Sequence, residues 1–173
     1  GRPTAVGAAT GAVVGLVAIT PAAGFVPPGA AIAIGAVAAV PSFFMILWRP
    51  RTRLDDSLDV FAAHGVGGLT GALLTGVFAR SAWHAPADGV LGGEWSTLGA
   101  QVVAVAVVFV YGLVVTFLLL KALGLAASLR PTDKEEGVGM DVMQHGEQAY
   151  NRGEGAVLVL ERRSPQTAPE GEP

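Results

Sequence analysis

One histidine lies inside a long apolar segment that has no acidic or basic side chain besides it. His64 follows Ala62 and Ala63 and precedes Gly65, and no Asp, Glu, Lys or Arg occurs from Val60 to Ala79. An ionisable side chain in such an apolar segment is a functional candidate that faces a bundle interior or a cavity. A neutral imidazole offers one donor and one acceptor nitrogen, which suits the transfer of a proton or a small polar molecule. The alternative is a histidine that packs between helices and hydrogen-bonds to a neighbouring carbonyl.

Three aspartates precede this histidine, namely Asp55, Asp56 and Asp59. Carboxylates at the start of a helix accept hydrogen bonds from its free N–H groups and meet the positive end of its dipole. A vestibule that attracts cations is the functional alternative. We expect Asp55 and Asp56 to cap the helix, and Asp59 to pair with a residue outside this chain.

A proline late in the first apolar segment is predicted to bend a helix. Pro21 follows Thr20, and proline cannot donate a hydrogen bond to the carbonyl four residues back. The pair Thr20-Pro21 is therefore expected to kink the first helix and to have a structural role.

Several kinds of chemistry find no support in the sequence. The chain has no cysteine and a formal charge of −3, which argues against disulfides, thiolate metal sites and a broad nucleic-acid surface. No metal-ligand spacing, nucleophile elbow or phosphate-binding loop occurs, and His84 and His145 are expected to be ordinary solvated histidines. The sequence therefore predicts no enzyme, no metal and no cofactor.

Composition and charge placement indicate a membrane protein. The 173 residues are 51% hydrophobic and 14% charged, whereas soluble domains have about 25% charged residues. No Asp, Glu, Lys, Arg or His occurs from Pro3 to Trp48 or from Trp95 to Leu120. A bilayer core needs about 20 apolar residues per helix, so the first gap fits two spans and the segments around His64 and after Trp95 fit one each. A soluble protein of this composition would have too few polar residues to cover its core.

The predicted fold is an all-α, polytopic transmembrane helix bundle with four membrane spans. Turn residues between Gly24 and Gly29 end the first helix, and the helices are expected over about residues 4–26, 29–48, 58–79 and 98–129. Residues 1–129 would form the transmembrane region and 130–150 a polar C-terminal region. Residues 151–173 are predicted to be a disordered tail.

Positive residues predict the orientation. Arg49, Arg51 and Arg53 lie between the second and third helices, and positive loops stay in the cytoplasm. Four spans return the chain to the same side, so we expect a multi-pass protein of the plasma membrane with a cytoplasmic C-terminus. The chain begins at Gly1 without an initiator methionine, and further residues upstream are expected.

Glycines recur every four residues on two predicted helices. Gly7, Gly11 and Gly15 lie on one face of the first helix, and Gly67 and Gly71 on one face of the third. Small residues at this spacing let helices approach closely in lipid. Tight packing of several helices, including helices outside this chain, is therefore favoured over isolated membrane anchors.

Three segments together resemble the ammonium transporter family (Amt/Mep/Rh). The first is Gly15–Gly24 with its Thr-Pro-Ala pattern, the second is Asp55–Gly68 around the histidine, and the third is Gly139–Tyr150. Their order and spacing resemble the family over roughly residues 1–150. Ala62-Ala63 departs from the more usual Gly-Val but keeps the side chains small.

This resemblance implies an eleven-helix inverted repeat that assembles as a homotrimer with a pore in each subunit. The chain would supply the last four helices, with His64 as the second member of the histidine pair of the pore. The implied mechanism recruits ammonium, removes its proton and passes ammonia, with the proton relayed through the paired imidazoles. The partner histidine, the aromatic gate and the outer cation-binding residues would belong to earlier helices. The tail residues that match the family are Asp141, His145, Gly146, Glu147 and Tyr150, and family tails contact signalling proteins of the PII type.

Two other functions are open on the sequence alone. The first is an ammonium-sensing or regulatory module that signals through its C-terminal tail. The second is a truncated product without activity. Four helices without the other wall of the pore would leave His64 and the glycine faces exposed, so we expect no conduction by this chain alone.

Overall fold

The computed structural model describes residues 3–146. Its four long helices are α1 (Ala5–Ile19), α2 (Pro28–Trp48), α3 (Gly67–Phe78) and α4 (Trp95–Ala126). The helix α3 continues directly from a π-helical turn, Phe61–Val66. Each forms, with its adjoining turns, a segment long and apolar enough to cross a membrane. The predicted all-α bundle with four spans is confirmed. By contacts the chain divides after Phe117 into two compact units.

The first helix ends earlier than the sequence predicted. A 3₁₀ turn, Thr20–Ala22, follows α1 directly, and Gly24 adopts a φ of +83°. The hydroxyl of Thr20 donates to the carbonyl of Leu16 at 2.9 Å. Pro21 therefore belongs to the tightened end of the helix rather than to a kink within a helix that runs to residue 26, because its ring removes the N–H needed to continue.

Helices α1, α2 and α3 pack around a small core whose side chains are mostly alanine and β-branched. Its buried members are Val14, Ala18, Ala22, Val26, Ile34, Ala38 and Ala63. Small residues let the backbones approach: a Cβ on Gly35 would lie 3.5 Å from the Cα of Gly15, and one on Gly71 would collide with the backbone of Ala18. Such close contacts replace the hydrophobic effect as the source of helix association in lipid.

The predicted glycine stripe on α1 is only partly used for packing. Gly15 faces α2, but a Cβ on Gly11 would meet no atom within 4 Å, and one on Gly7 would meet only the Thr4 hydroxyl of the same helix. Both Gly7 and Gly11 are exposed. No described residue outside the start of α1 contacts these two positions, so their packing against helices outside this chain stays a prediction.

A folded loop joins α3 to the start of α4. The Asp88 carboxylate accepts a 2.6 Å hydrogen bond from the Ser81 N–H, and the Thr97 hydroxyl donates to the Asp88 carbonyl at 2.6 Å. The Ser81 N–H is the main cause that lowers the pKa of Asp88 below its usual 3.8. These bonds hold the first turn of α4 against α3, where a Cβ on Gly76 would lie 2.7 Å from the Leu98 Cα.

The helix α4 begins at Trp95 and ends at Ala126, each about three residues before the predicted bound. No residue of α4 is buried. A short helix, α5 (Asp133–Val138), follows and was not predicted. Its N-terminus is capped by a capping box, in which the Thr132 hydroxyl accepts a hydrogen bond from the Glu135 N–H and the Glu135 carboxylate accepts one from the Thr132 N–H.

Candidate functional site

The histidine selected from the sequence lies in the π-helical turn Phe61–Val66. Ala62 and Ala63 of this turn are buried, whereas His64 and Gly65 are exposed. The turn therefore presents small side chains to the bundle and its imidazole to the outside of the described helices. A π-helical turn is uncommon and is found frequently at functional sites.

An apolar groove runs along α3 from Gly65, the residue that follows His64 in the chain. It has a volume of about 380 Å³ and lies between α3 and α4. Its lining residues are Gly65, Gly68, Leu69, Ala72, Gln101, Ala104, Val105, Val108 and Phe109. Gln101 is the one polar side chain among them, and none of them is charged. Such a surface disfavours a bare cation and tolerates a small neutral molecule.

The start of the π-helical turn is capped by one carboxylate. The Val60 N–H donates to Asp56 Oδ1 at 2.9 Å, and the Phe61 N–H donates to Asp56 Oδ2 at 2.8 Å. The Phe61 N–H is the main cause that holds the pKa of Asp56 below its usual 3.8. Asp55 is exposed, and the hydrogen bonds from the Val60 and Phe61 N–H groups go to Asp56.

Asp59 has a partner inside the chain, so the prediction of a partner elsewhere is wrong. Its Oδ1 accepts from the Arg49 Nε at 2.6 Å, and both side chains are about a quarter exposed. Asp59 also adopts a φ of +53°, in the left-handed region that Asp tolerates better than most residues. The ion pair fastens the end of α2 to the residue from which the turn carrying His64 begins. Sequence reasoning could have found it, because Arg49 and Asp59 are opposite charges that flank consecutive spans.

The other predicted site residues lie in three separate places. Gly67 and Gly71 face α1 and α2, and Thr20 and Pro21 lie at the end of α1. In the C-terminal region, Asp141–His145 form a π-helical turn that ends at Gly146, whose φ is +67°. Glu147 and Tyr150 lie outside the described residues, as does the predicted disordered tail. Among residues 3–146 no group of three His, Asp or Glu side chains could hold a metal ion.

Known proteins match this chain in both sequence and fold. Residues 1–150 match the model of the Ammonium Transporter Family. The chain is 44% identical over 151 residues to an ammonium transporter of Bacillus subtilis, covering 86% of this chain and 37% of that protein. It is 45% identical over 152 residues to an ammonium transporter of Corynebacterium glutamicum, covering 87% and 34%.

Solved structures give the same result for the fold. The crystal structure of Candida albicans Mep2 matches with a TM-score of 0.70 and 31% identity, over 84% of this chain and 34% of that one. Saccharomyces cerevisiae Mep2 matches with a TM-score of 0.66 and 32% identity, over 77% and 31%. The chain therefore spans about a third of the length of the relatives that it matches.

Proposed function

The chain belongs to the ammonium transporter family, and we propose that it forms part of a transporter that moves ammonium or ammonia across the membrane, with His64 on the conduction path. It would supply one wall of the pore, and the remaining wall, including a second histidine, would come from the rest of a protein as long as its relatives. The observation that carries this proposal is the exposure of His64 in a candidate span, directly before Gly65, which lines an apolar groove.

The surroundings of His64 favour passage of the neutral species. A bare cation in a path without charged or multiple polar ligands loses its hydration without replacement. Ammonia needs only one or two hydrogen-bond partners, and an imidazole can supply one as donor or acceptor. A second imidazole would let the proton removed from ammonium travel separately, since each ring can take a proton on one nitrogen and release it from the other.

The buried side of the same turn supports a fixed position for the ring. Ala62 and Ala63 are 1% and 4% exposed, the Asp56 carboxylate caps the first N–H groups, and the Arg49–Asp59 ion pair holds the preceding residue. A ring anchored at its backbone from three directions can present the same face to each passing molecule. This is the preorganisation that a transfer site needs.

Orientation and assembly are part of the same proposal. The loop with Arg49, Arg51 and Arg53 would face the cytoplasm, which places the C-terminal region there as well. The exposed faces of α1 and α4 would be covered by other helices of the protein, by lipid and by neighbouring subunits of a homotrimer. The region around α5 and Asp141–His145 would then be available to a PII-type signalling protein.

A matched pair of histidine variants tests the role of His64. His64→Asn keeps a polar side chain of similar reach but cannot relay a proton. His84→Asn is the control, because His84 is exposed in the loop before α4 and adopts a φ of +62°, which asparagine tolerates. Uptake of labelled methylammonium by cells expressing the full-length protein should fall by at least about tenfold for His64→Asn and stay unchanged for the control. Equal uptake by both variants, at equal surface expression, would refute the pore role.

A further inference from the structure

Two arginines at the end of the second span have no partner among the described residues. Arg51 is the last residue of the candidate span Pro28–Arg51, and Arg53 follows two residues later. Both arginines are exposed. Within residues 3–146 neither guanidinium forms a hydrogen bond or an ion pair. Each guanidinium carries five N–H donors, so the pair offers many donors to an anion at the membrane surface.

The acidic residues of the same loop are already engaged. Asp59 accepts from the Arg49 Nε at 2.6 Å, and Asp56 accepts from the first N–H groups of the π-helical turn. Asp55 also has a partner. The loop therefore leaves two positive charges without a carboxylate, although its three arginines and three aspartates cancel in formal charge.

The backbone between the two free arginines is held in one conformation by Thr52, whose backbone is extended. The N–H and the hydroxyl of Thr52 both donate to the Arg49 carbonyl, at 2.9 and 2.8 Å. The same hydroxyl accepts from the Leu54 N–H at 3.1 Å. Two residues of chain extend over at most about 7 Å, so both guanidiniums can reach one small anion. A phosphate group suits them, because the guanidinium fork matches two phosphate oxygens.

An exposed apolar stripe, formed by Val40, Phe44 and Trp48, leads along α2 to the arginines. These residues are four apart and therefore share one face of the helix, and they are 56%, 63% and 53% exposed. The stripe is about 12 Å long at the helical rise of 1.5 Å per residue, which is close to half of a bilayer core of about 30 Å. Trp48 lies at its end, where an indole ring favours the membrane interface. The stripe thus has the length and the chemistry to cover an acyl chain.

We propose that Arg51 and Arg53 bind the phosphate of an anionic phospholipid whose acyl chain lies along the apolar stripe. A lipid is favoured over a soluble phosphate because the donors adjoin an apolar surface that a soluble phosphate would leave uncovered. A headgroup of net negative charge is favoured over a zwitterionic one, because a guanidinium repels the cationic group of the latter. The inference rests on α2 as a membrane span and does not depend on transport or on His64.

The test measures lipid contact beside the stripe in the full-length protein. A fluorophore would be attached at Phe44→Cys in an otherwise cysteine-free background, and the protein would be placed in phosphatidylcholine vesicles. Quenching by brominated phosphatidylglycerol and by brominated phosphatidylcholine, titrated over the same mole fractions, gives the relative binding constant of the anionic lipid. Arg51→Gln and Arg53→Gln would be measured singly and together. Lys134→Gln is the control, because Lys134 is an exposed cation outside the candidate spans.

We expect the unmodified protein to prefer phosphatidylglycerol, and the relative binding constant to fall about fivefold for each arginine removed. Lys134→Gln should leave it unchanged. Equal quenching by the two lipids in the unmodified protein would overturn the proposal, as would an unchanged preference in the double variant or an equal loss in Lys134→Gln.

A second arm distinguishes the lipid from a soluble phosphate. Glycerol phosphate, added to the water at constant ionic strength, should not displace the brominated phosphatidylglycerol, because it cannot cover the apolar stripe. Its displacement of the lipid would assign the two arginines to a soluble phosphate and overturn the proposal. Neither arm needs transport, so failure of the proposed function would leave both results interpretable.

Discussion

Replacing Gly71 by alanine should separate α1 from α3. The added Cβ would lie 2.7 and 2.8 Å from the carbonyl carbon and Cα of Ala18, and would also overlap its carbonyl oxygen. These are backbone atoms that cannot rotate aside. To restore an ordinary contact of 3.4 Å to the carbonyl carbon, the helices must move apart by at least about 0.7 Å, and by more to clear the oxygen. A gap of that size removes roughly a quarter to a half of the dispersion energy across the contact.

The expected cost of Gly71→Ala is about 1–3 kcal/mol, the usual range for an overpacked core. Alanine favours a helix over glycine by about 1 kcal/mol, which offsets only part of this loss. Gly11→Ala is the matched control on α1, because its Cβ would meet no atom within 4 Å. In the 173-residue chain this control should be neutral or slightly stabilising.

The free energies of unfolding would be measured in mixed micelles by titration with dodecyl sulfate, followed by circular dichroism. The midpoint for Gly71→Ala should fall well below that of the unmodified chain, whereas the midpoint for Gly11→Ala should not. If both variants shifted equally, the close approach of α1 and α3 would not be what holds the bundle together. The same conclusion would follow if Gly71→Ala were neutral.

Two further predictions concern the turn before α3. The pKa of Asp56 is lowered in the folded state, so its carboxylate stabilises that state at a pH above its unfolded pKa of about 3.8. The amides of Val60 and Phe61 should therefore lose their protection from hydrogen exchange only as the pH falls below that value. In Asp56→Ala the same amides should be unprotected at every pH. Asp59→Ala loses the ion pair with Arg49 and also places alanine at a φ of +53°, whereas Asp59→Gly loses only the ion pair. The midpoint temperature of thermal unfolding should therefore be lower for the alanine variant than for the glycine variant. Equal midpoints would show that this backbone conformation carries no strain.

The sequence predicted the number and type of the spans because bilayer burial removes charges over long stretches, and that signal is independent of detailed packing. It placed the end of α1 several residues late because Thr20 and Pro21 were interpreted as a kink, although proline and the following glycine can equally end a helix. The short helix α5 was missed even though Thr132 and Glu135 have the spacing of a capping box.

The histidine could be selected from the sequence because a single ionisable side chain in an apolar span is conspicuous. The π-helical turn around it could not, since over a single turn the apolar pattern does not distinguish a π-helix from an α-helix. The partner of Asp59 was missed although the sequence carried a signal for it, because Arg49 and Asp59 are opposite charges that flank consecutive spans.

The third span has two sides with opposite requirements, and glycine serves both. Toward α1, Gly71 has no room for a side chain, because a Cβ there would collide with the backbone of Ala18, and Gly67 is buried against Val14, so this side is fixed by close contacts. On the other side, Gly65 and Gly68 leave an open apolar groove beside His64. Under the proposed function one helix needs both properties, because a ring that exchanged protons would have to keep its position while the space next to it stayed empty for the next molecule. Substitutions such as Gly71→Ala therefore weaken the rigid side without placing a side chain in the groove, and the proposed function predicts that transport would then be lost through the position of His64 rather than through a blocked path.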